Sequence, residues 1–120
     1  MMMWKLYKHP PEAYQRTYQI YFEDKTGKKW FFGTSFYYGE AASMVELLAD
    51  SEVRAAVSEY IIEESLIPDG KLDFGPYHKV FKAIKPALDR ICSKHGIDWP
   101  GSNVLPYTLK KALALEQCAE

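Results

Sequence analysis

The chain has 120 residues and a mass of 13.9 kDa, a length that favours one domain around one core, burying about two thirds of the unfolded surface. Apolar residues make up 48% and charged residues 26%, close to the globular average, which excludes a disordered, collagenous or coiled-coil chain. Fifteen basic and sixteen acidic side chains leave a net charge of -1, without the cationic excess of a duplex-DNA binder.

The first third reads as sheet. A strand over residues 4–8 turns Trp4 and Leu6 inward and Lys5 and Tyr7 outward, and Pro10-Pro11 ends it. Residues 16–23 and 28–38 are dominated by aromatic and β-branched types, which fit a pleated, half-buried surface. Between them, a three-residue loop Lys25-Thr26-Gly27 puts Gly27 at the left-handed position of a type I turn with a G1 bulge. Asp24 then lies opposite Lys28, and Glu23, Phe22, Tyr21 and Ile20 face Lys29, Trp30, Phe31 and Phe32 in turn. Side chains directly opposite share a face. One face therefore carries Tyr18, Ile20, Phe22, Trp30, Phe32 and Phe36 and forms the floor of the core. The other carries Gln19, Tyr21, Glu23, Lys29, Phe31, Gly33, Ser35 and Tyr37 and meets solvent or a partner.

The remainder reads as helices. From residue 40 to 66, Met44, Leu47, Leu48, Val53, Ala56, Val57, Tyr60 and Ile61 recur at three- and four-residue steps. Asp50 or Ser51 caps a second segment, so two helices joined near Asp50 are expected, ended by Pro68-Asp69-Gly70. Pro76 suits a first helical position, and Tyr77, Val80, Phe81, Ile84, Leu88, Ile91, Cys92 and His95 make one stripe. Gly96 stops that helix, and Pro86 lies opposite its stripe. A last helix starts near Pro106 and carries Leu109, Ala112, Leu113 and Leu115. The expected fold is α+β, a single domain over 1–120. A two- or three-stranded antiparallel sheet in residues 1–39 is packed on one face by about four helices in residues 40–120.

No run approaches the roughly 18 apolar residues of a membrane span, and the opening residues lack a signal peptide's apolar segment. The expected location is cytoplasmic, with no membrane partner. Cys92 and Cys118 are too few for a disulfide framework and lack zinc-ligand spacing, so both are read as reduced thiols.

Candidate chemistry is sparse. Cys92 and His95 are neighbours on a helix surface, as a thiolate–imidazole pair would be, but both fall in the apolar stripe and read as a packed cysteine and a helix-ending histidine. His9, His78 and His95 are scattered and make no ligand set, so no metal is expected. Glu59 and Glu63 share a helix face, but nothing nearby splits their pKa values as an acid–base pair requires. The glycines are spread singly and form no phosphate loop, and no cofactor is implied. The chain is read as a non-enzyme.

Two features stand out as interaction sites. The first is the outward aromatic group Tyr21, Phe31 and Tyr37, joined by Tyr7, with Lys5 and Lys29 beside it. Such rings stabilise a hairpin as cross-strand pairs, dock a protein or a second copy of the chain, or stack the bases of a single-stranded nucleic acid. The second follows from charge segregation. Residues 40–74 carry nine acidic against two basic side chains, between flanks that are each net basic. Within this stretch Glu52, Glu59, Glu63 and Glu64 form an acidic helical surface, either a solubilising face or a dock for a basic partner.

The order strand, Lys25-Thr26-Gly27-Lys28-Lys29, strand, Gly33-Thr34-Ser35-Phe36, then Glu40-Ala41-Ala42 opening a helix resembles the arm-binding domain of tyrosine recombinases over residues 18–49. The helix that follows is acidic, where phosphate contacts would want cations. The expected function is that of a small cytosolic binding protein presenting the aromatic sheet face or the acidic surface to a protein partner or to its own copy. The alternatives are a single-stranded nucleic-acid binder using the sheet, and a small-ligand binder or enzyme with a pocket between sheet and helices.

Overall fold

Gly27 adopts a φ of +86°, the left-handed conformation that a β-carbon penalises. Its N–H donates to the Asp24 carbonyl at 3.0 Å, and the Asp24 N–H donates to the Lys28 carbonyl at 3.0 Å, which closes the three-residue loop expected from the sequence. The Asp24 carboxylate holds this turn from inside. Its Oδ1 accepts the Thr26 N–H at 2.8 Å, the Thr26 hydroxyl at 2.6 Å and the Lys28 N–H at 3.0 Å, and its Oδ2 accepts the Trp30 indole N–H at 3.0 Å. The computed structural model describes residues 3–8, 18–35, 37–98 and 105–119.

Among the described residues three antiparallel strands lie in chain order: β1 (Met3–Lys8), β2 (Tyr18–Glu23) and β3 (Lys29–Ser35). The N-terminal strand does join the hairpin, pairing Trp4 with Phe22 and Leu6 with Ile20. Next to the turn the register is as expected, with Glu23, Phe22 and Tyr21 opposite Lys29, Trp30 and Phe31. Beyond Tyr21 it shifts. Ile20 pairs with Gly33 rather than Phe32, so Phe32 is the extra residue of a β-bulge. The bulge keeps the Phe32 ring on the core side, where it meets Trp4 edge-on at 5.6 Å. It also places Gly33 opposite inward-facing Ile20, and residue 35 opposite Tyr18, where strict alternation had put both outward. Phe36 lies outside the described residues.

Four helices follow among the described residues: α1 (Tyr38–Ala49), α2 (Ser51–Ser65), α3 (Gly75–His95) and α4 (Leu105–Ala119). Asp50 separates the first two by capping α2, its carboxylate accepting the Val53 N–H at 2.9 Å. Pro76 stands in the first turn of α3, and Gly96 ends the helix in the left-handed conformation, with the Ile97 N–H returning to the Cys92 carbonyl at 3.0 Å. This return brings Ile97 against the start of α1. A β-carbon on Gly39 would lie 2.8 Å from Ile97 Cγ2, so only glycine lets the two segments approach this closely.

Helix α1 is the middle layer. It lies across all three strands and is packed on its other side by α2 and α3, which pair along their lengths, while α4 touches α2, α3 and β3. The helices therefore do not share the sheet equally, since α1 and α4 supply its main contacts. The centre of the core is Leu47, Leu48, Val53, Val57, Ile84, Leu105 and Leu109, all fully buried, each worth about 1.5–3 kcal/mol. On the sheet side Trp4, Ile20 and Phe22 are buried, with Trp30 and Phe32 packed against them.

Candidate functional site

The hairpin register places Tyr21 beside Phe31 on the outer face of the sheet, and pairing with β2 brings Lys5 and Tyr7 alongside. Tyr21 and Phe31 lie 5.5 Å apart, and Tyr7 meets Phe31 edge-on at 6.0 Å. The Lys29 ammonium sits 5.3 Å from the Tyr21 ring centre and 5.9 Å from that of Tyr7, within cation–π range. Lys5 is ion-paired with Glu23. Their hydrogen bond raises the Lys5 pKa and lowers that of Glu23. Five of the six residues singled out on this face are thus brought together.

They are unequal in exposure. Tyr21 is only 7% exposed although it faces away from the helices, because Tyr7, Phe31 and Lys29 close over it. Phe31 is 51% exposed and is the ring of the group that a partner would reach. Tyr37, the sixth residue, stands beyond the bulge at the N-cap of α1 and is itself largely exposed.

The acidic surface looks different in space from its look in the sequence. Glu59 and Glu63 both bind the Lys79 ammonium of α3, at 2.8 and 2.7 Å, and Glu64 is paired with Lys110 of α4. The hydrogen bond from Lys79 lowers the Glu59 pKa, and that from Lys110 lowers the Glu64 pKa. Asp50 takes Arg90 at 2.8 Å, and Glu46 takes Lys94 and His95 at 2.9 Å each. The basic C-terminal flank therefore folds onto the acidic middle. Glu52 stays exposed in the first turn of α2, where a negative charge suits the helix dipole.

One constellation escaped the sequence reading. Glu116 of α4 is only 8% exposed. It accepts the Trp4 indole N–H on Oε1 and grips the Arg54 guanidinium with both oxygens, at 2.7 and 2.6 Å, while Arg54 also donates to the Leu48 carbonyl at 2.8 Å. Strand β1 and helices α1, α2 and α4 are joined at this point, beside a cleft of about 380 Å³ between sheet and helices lined also by Met3 and Phe22. The signal was present: Leu109, Ala112, Leu113 and Glu116 follow helical spacing, which puts a carboxylate on the apolar stripe of α4. The charges at the cleft are engaged with each other.

Cys92 is buried, which raises its thiol pKa, and Cys118 is exposed; both are free. Among the described residues no group of three histidine, cysteine or acidic side chains is placed to hold a metal ion, and no helix is long and apolar enough to cross a membrane. Comparison of the chain with protein-family models, curated proteins and solved structures finds no match.

Proposed function

We propose that the chain is a non-enzymatic cytoplasmic interaction protein that docks a protein partner on the outer face of its sheet, with Phe31 as the apolar anchor and the hairpin lysines as a cationic rim. The single observation that carries this reading is the half-exposed Phe31 ring, set among rings that are packed. Buried aromatic anchors dominate protein interfaces, and such a ring is built to insert. Residues 3–8 and 18–33 hold five lysines against two carboxylates, and one of these, Asp24, is taken up by its turn. The complementary partner is therefore a protein surface with an apolar pocket rimmed by acidic groups.

The acidic helical surface is the weaker dock, since Lys79 and Lys110 already pair with Glu59, Glu63 and Glu64 and offset most of their charge. Base stacking needs free ring faces, whereas Tyr21 is covered and Lys29 lies over Tyr7. That favours protein over single-stranded nucleic acid.

The test is affinity capture from the native host with the wild-type chain, Phe31→Ala and Lys29→Glu. A protein retained by the wild type after nuclease treatment, lost from both variants and released by added salt is the expected result. Identical captures from all three would overturn the reading. Binding of a labelled single strand would turn it towards nucleic acid, and a dimer in sedimentation would make the partner a second copy.

A further inference from the structure

Where the α2–α3 connection meets the start of α4, a cavity of about 330 Å³ opens to solvent, at the small end of ligand sites, which run about 300–1,000 Å³. Tyr60, Phe74, Tyr77 and Tyr107 are among the residues that line it. Tyr77 and Tyr107 stack at 5.1 Å with a 30° angle between their planes, and Tyr60 lies 6.5 Å from each, at a steep angle. Tyr60 is 2% exposed and forms the floor, whereas Tyr107 and Phe74 are 43% and 55% exposed and leave ring surface open to a ligand.

The charged groups of the same cavity are predominantly acidic. Glu64, Asp69 and Asp73 line it, and Lys71 is the one cation among its described lining residues. Asp73 is oriented by the Gly75 N–H, which donates to its Oδ1 at 2.9 Å. Glu64 is held from two sides, by Lys110 and by the Tyr60 hydroxyl.

Ring faces carry the negative end of the aromatic quadrupole, so rings and carboxylates here create potential of the same sign. An anion would be repelled by both, and a neutral apolar group would leave the carboxylates unanswered. A cation with an apolar shell satisfies both. We propose that this cavity binds an alkylammonium group, with the Tyr77, Tyr107 and Phe74 rings around its methyl or methylene carbons and the Asp69 and Asp73 carboxylates setting its charge preference. This site is separate from the outer face of the sheet and does not depend on it.

The test is titration of the full chain, followed by the ring signals of Tyr77 and Tyr107 in NMR. Choline is one probe, and 3,3-dimethylbutan-1-ol, in which carbon replaces the charged nitrogen, is its neutral isostere. Saturable shifts with choline and none with the isostere are expected. Tyr107→Leu, a change at a partly exposed ring, is expected to weaken choline about tenfold, as loss of one cation–π contact implies. A third titration with acetylated, amidated trimethyl-lysine identifies the source, since tighter binding than choline points to a protein side chain and weaker binding to a free small molecule. The absence of shifts with both ammonium compounds, or equal binding of the isostere, would overturn the proposal.

Discussion

Asp24 shows how much a single carboxylate can do in a short turn. Four hydrogen bonds converge on it, those from Thr26 and Trp30 most strongly, and together they hold its pKa well below the usual aspartate range. The folded pKa lies below the unfolded value of about 3.9, so the stabilisation is complete above that pH and is lost as pH falls through the native pKa. Urea unfolding from pH 5 to pH 2 is expected to show the wild type losing more stability than Asp24→Asn, which keeps a neutral acceptor; parallel curves would exclude this account. Ser43 is the opposite case. It is fully buried in α1 and its hydroxyl has no hydrogen-bond partner among the described residues. Ser43→Ala removes an unsatisfied polar atom and improves helix propensity, so denaturation should show a gain of about 1 kcal/mol.

At the scale of elements, the Arg54–Glu116 pair couples the two ends of the described chain. Glu116 binds Trp4 of β1 and Arg54 of α2 together. Glu116→Gln retains an acceptor for the indole but replaces the carboxylate that holds the guanidinium at two points with a neutral amide. A loss of about 2 kcal/mol is expected, below the 3–5 of a fully buried pair, because the Arg54 side chain is 38% exposed. Adding Arg54→Met removes the other charge of the pair and should recover most of that loss, a coupling that a double-mutant cycle in urea measures directly. Full additivity would mean that the two groups act independently.

At the scale of the molecule, α1 has sheet on one side and α2 and α3 on the other, which predicts one cooperative unit. Leu47, in α1, is 0% exposed. Leu47→Ala is expected to cost about 2–5 kcal/mol, with tryptophan fluorescence in a Trp99→Phe background, reporting β1 and β3 through Trp4 and Trp30, and far-UV circular dichroism, reporting the helices, moving together. Separated transitions would show that sheet and helices unfold apart. Phe31→Ala, by contrast, removes a ring that is half in solvent and should cost under about 1 kcal/mol in the same assay. That difference lets its effect on partner capture be separated from folding.

Much was legible because it is decided locally. Gly27 chooses the turn, and the turn sets the register as far as Phe31; Asp50, Pro76 and Gly96 mark helix ends through hydrogen bonds or dihedral angles that involve only near neighbours. What the tertiary structure decided depends on distance in space rather than along the chain. The bulge at Phe32 departs from simple alternation and sets Gly33, not Phe32, opposite Ile20. Lys79 and Lys110 pair with glutamates that crowd one acidic stretch of the sequence. Tyr21 is covered by residues from both neighbouring strands and the hairpin, and Tyr60, Tyr77 and Tyr107 meet only because three helices converge. Periodicity assigns a residue to a face, but what finally stands opposite that face is settled only when remote segments pack.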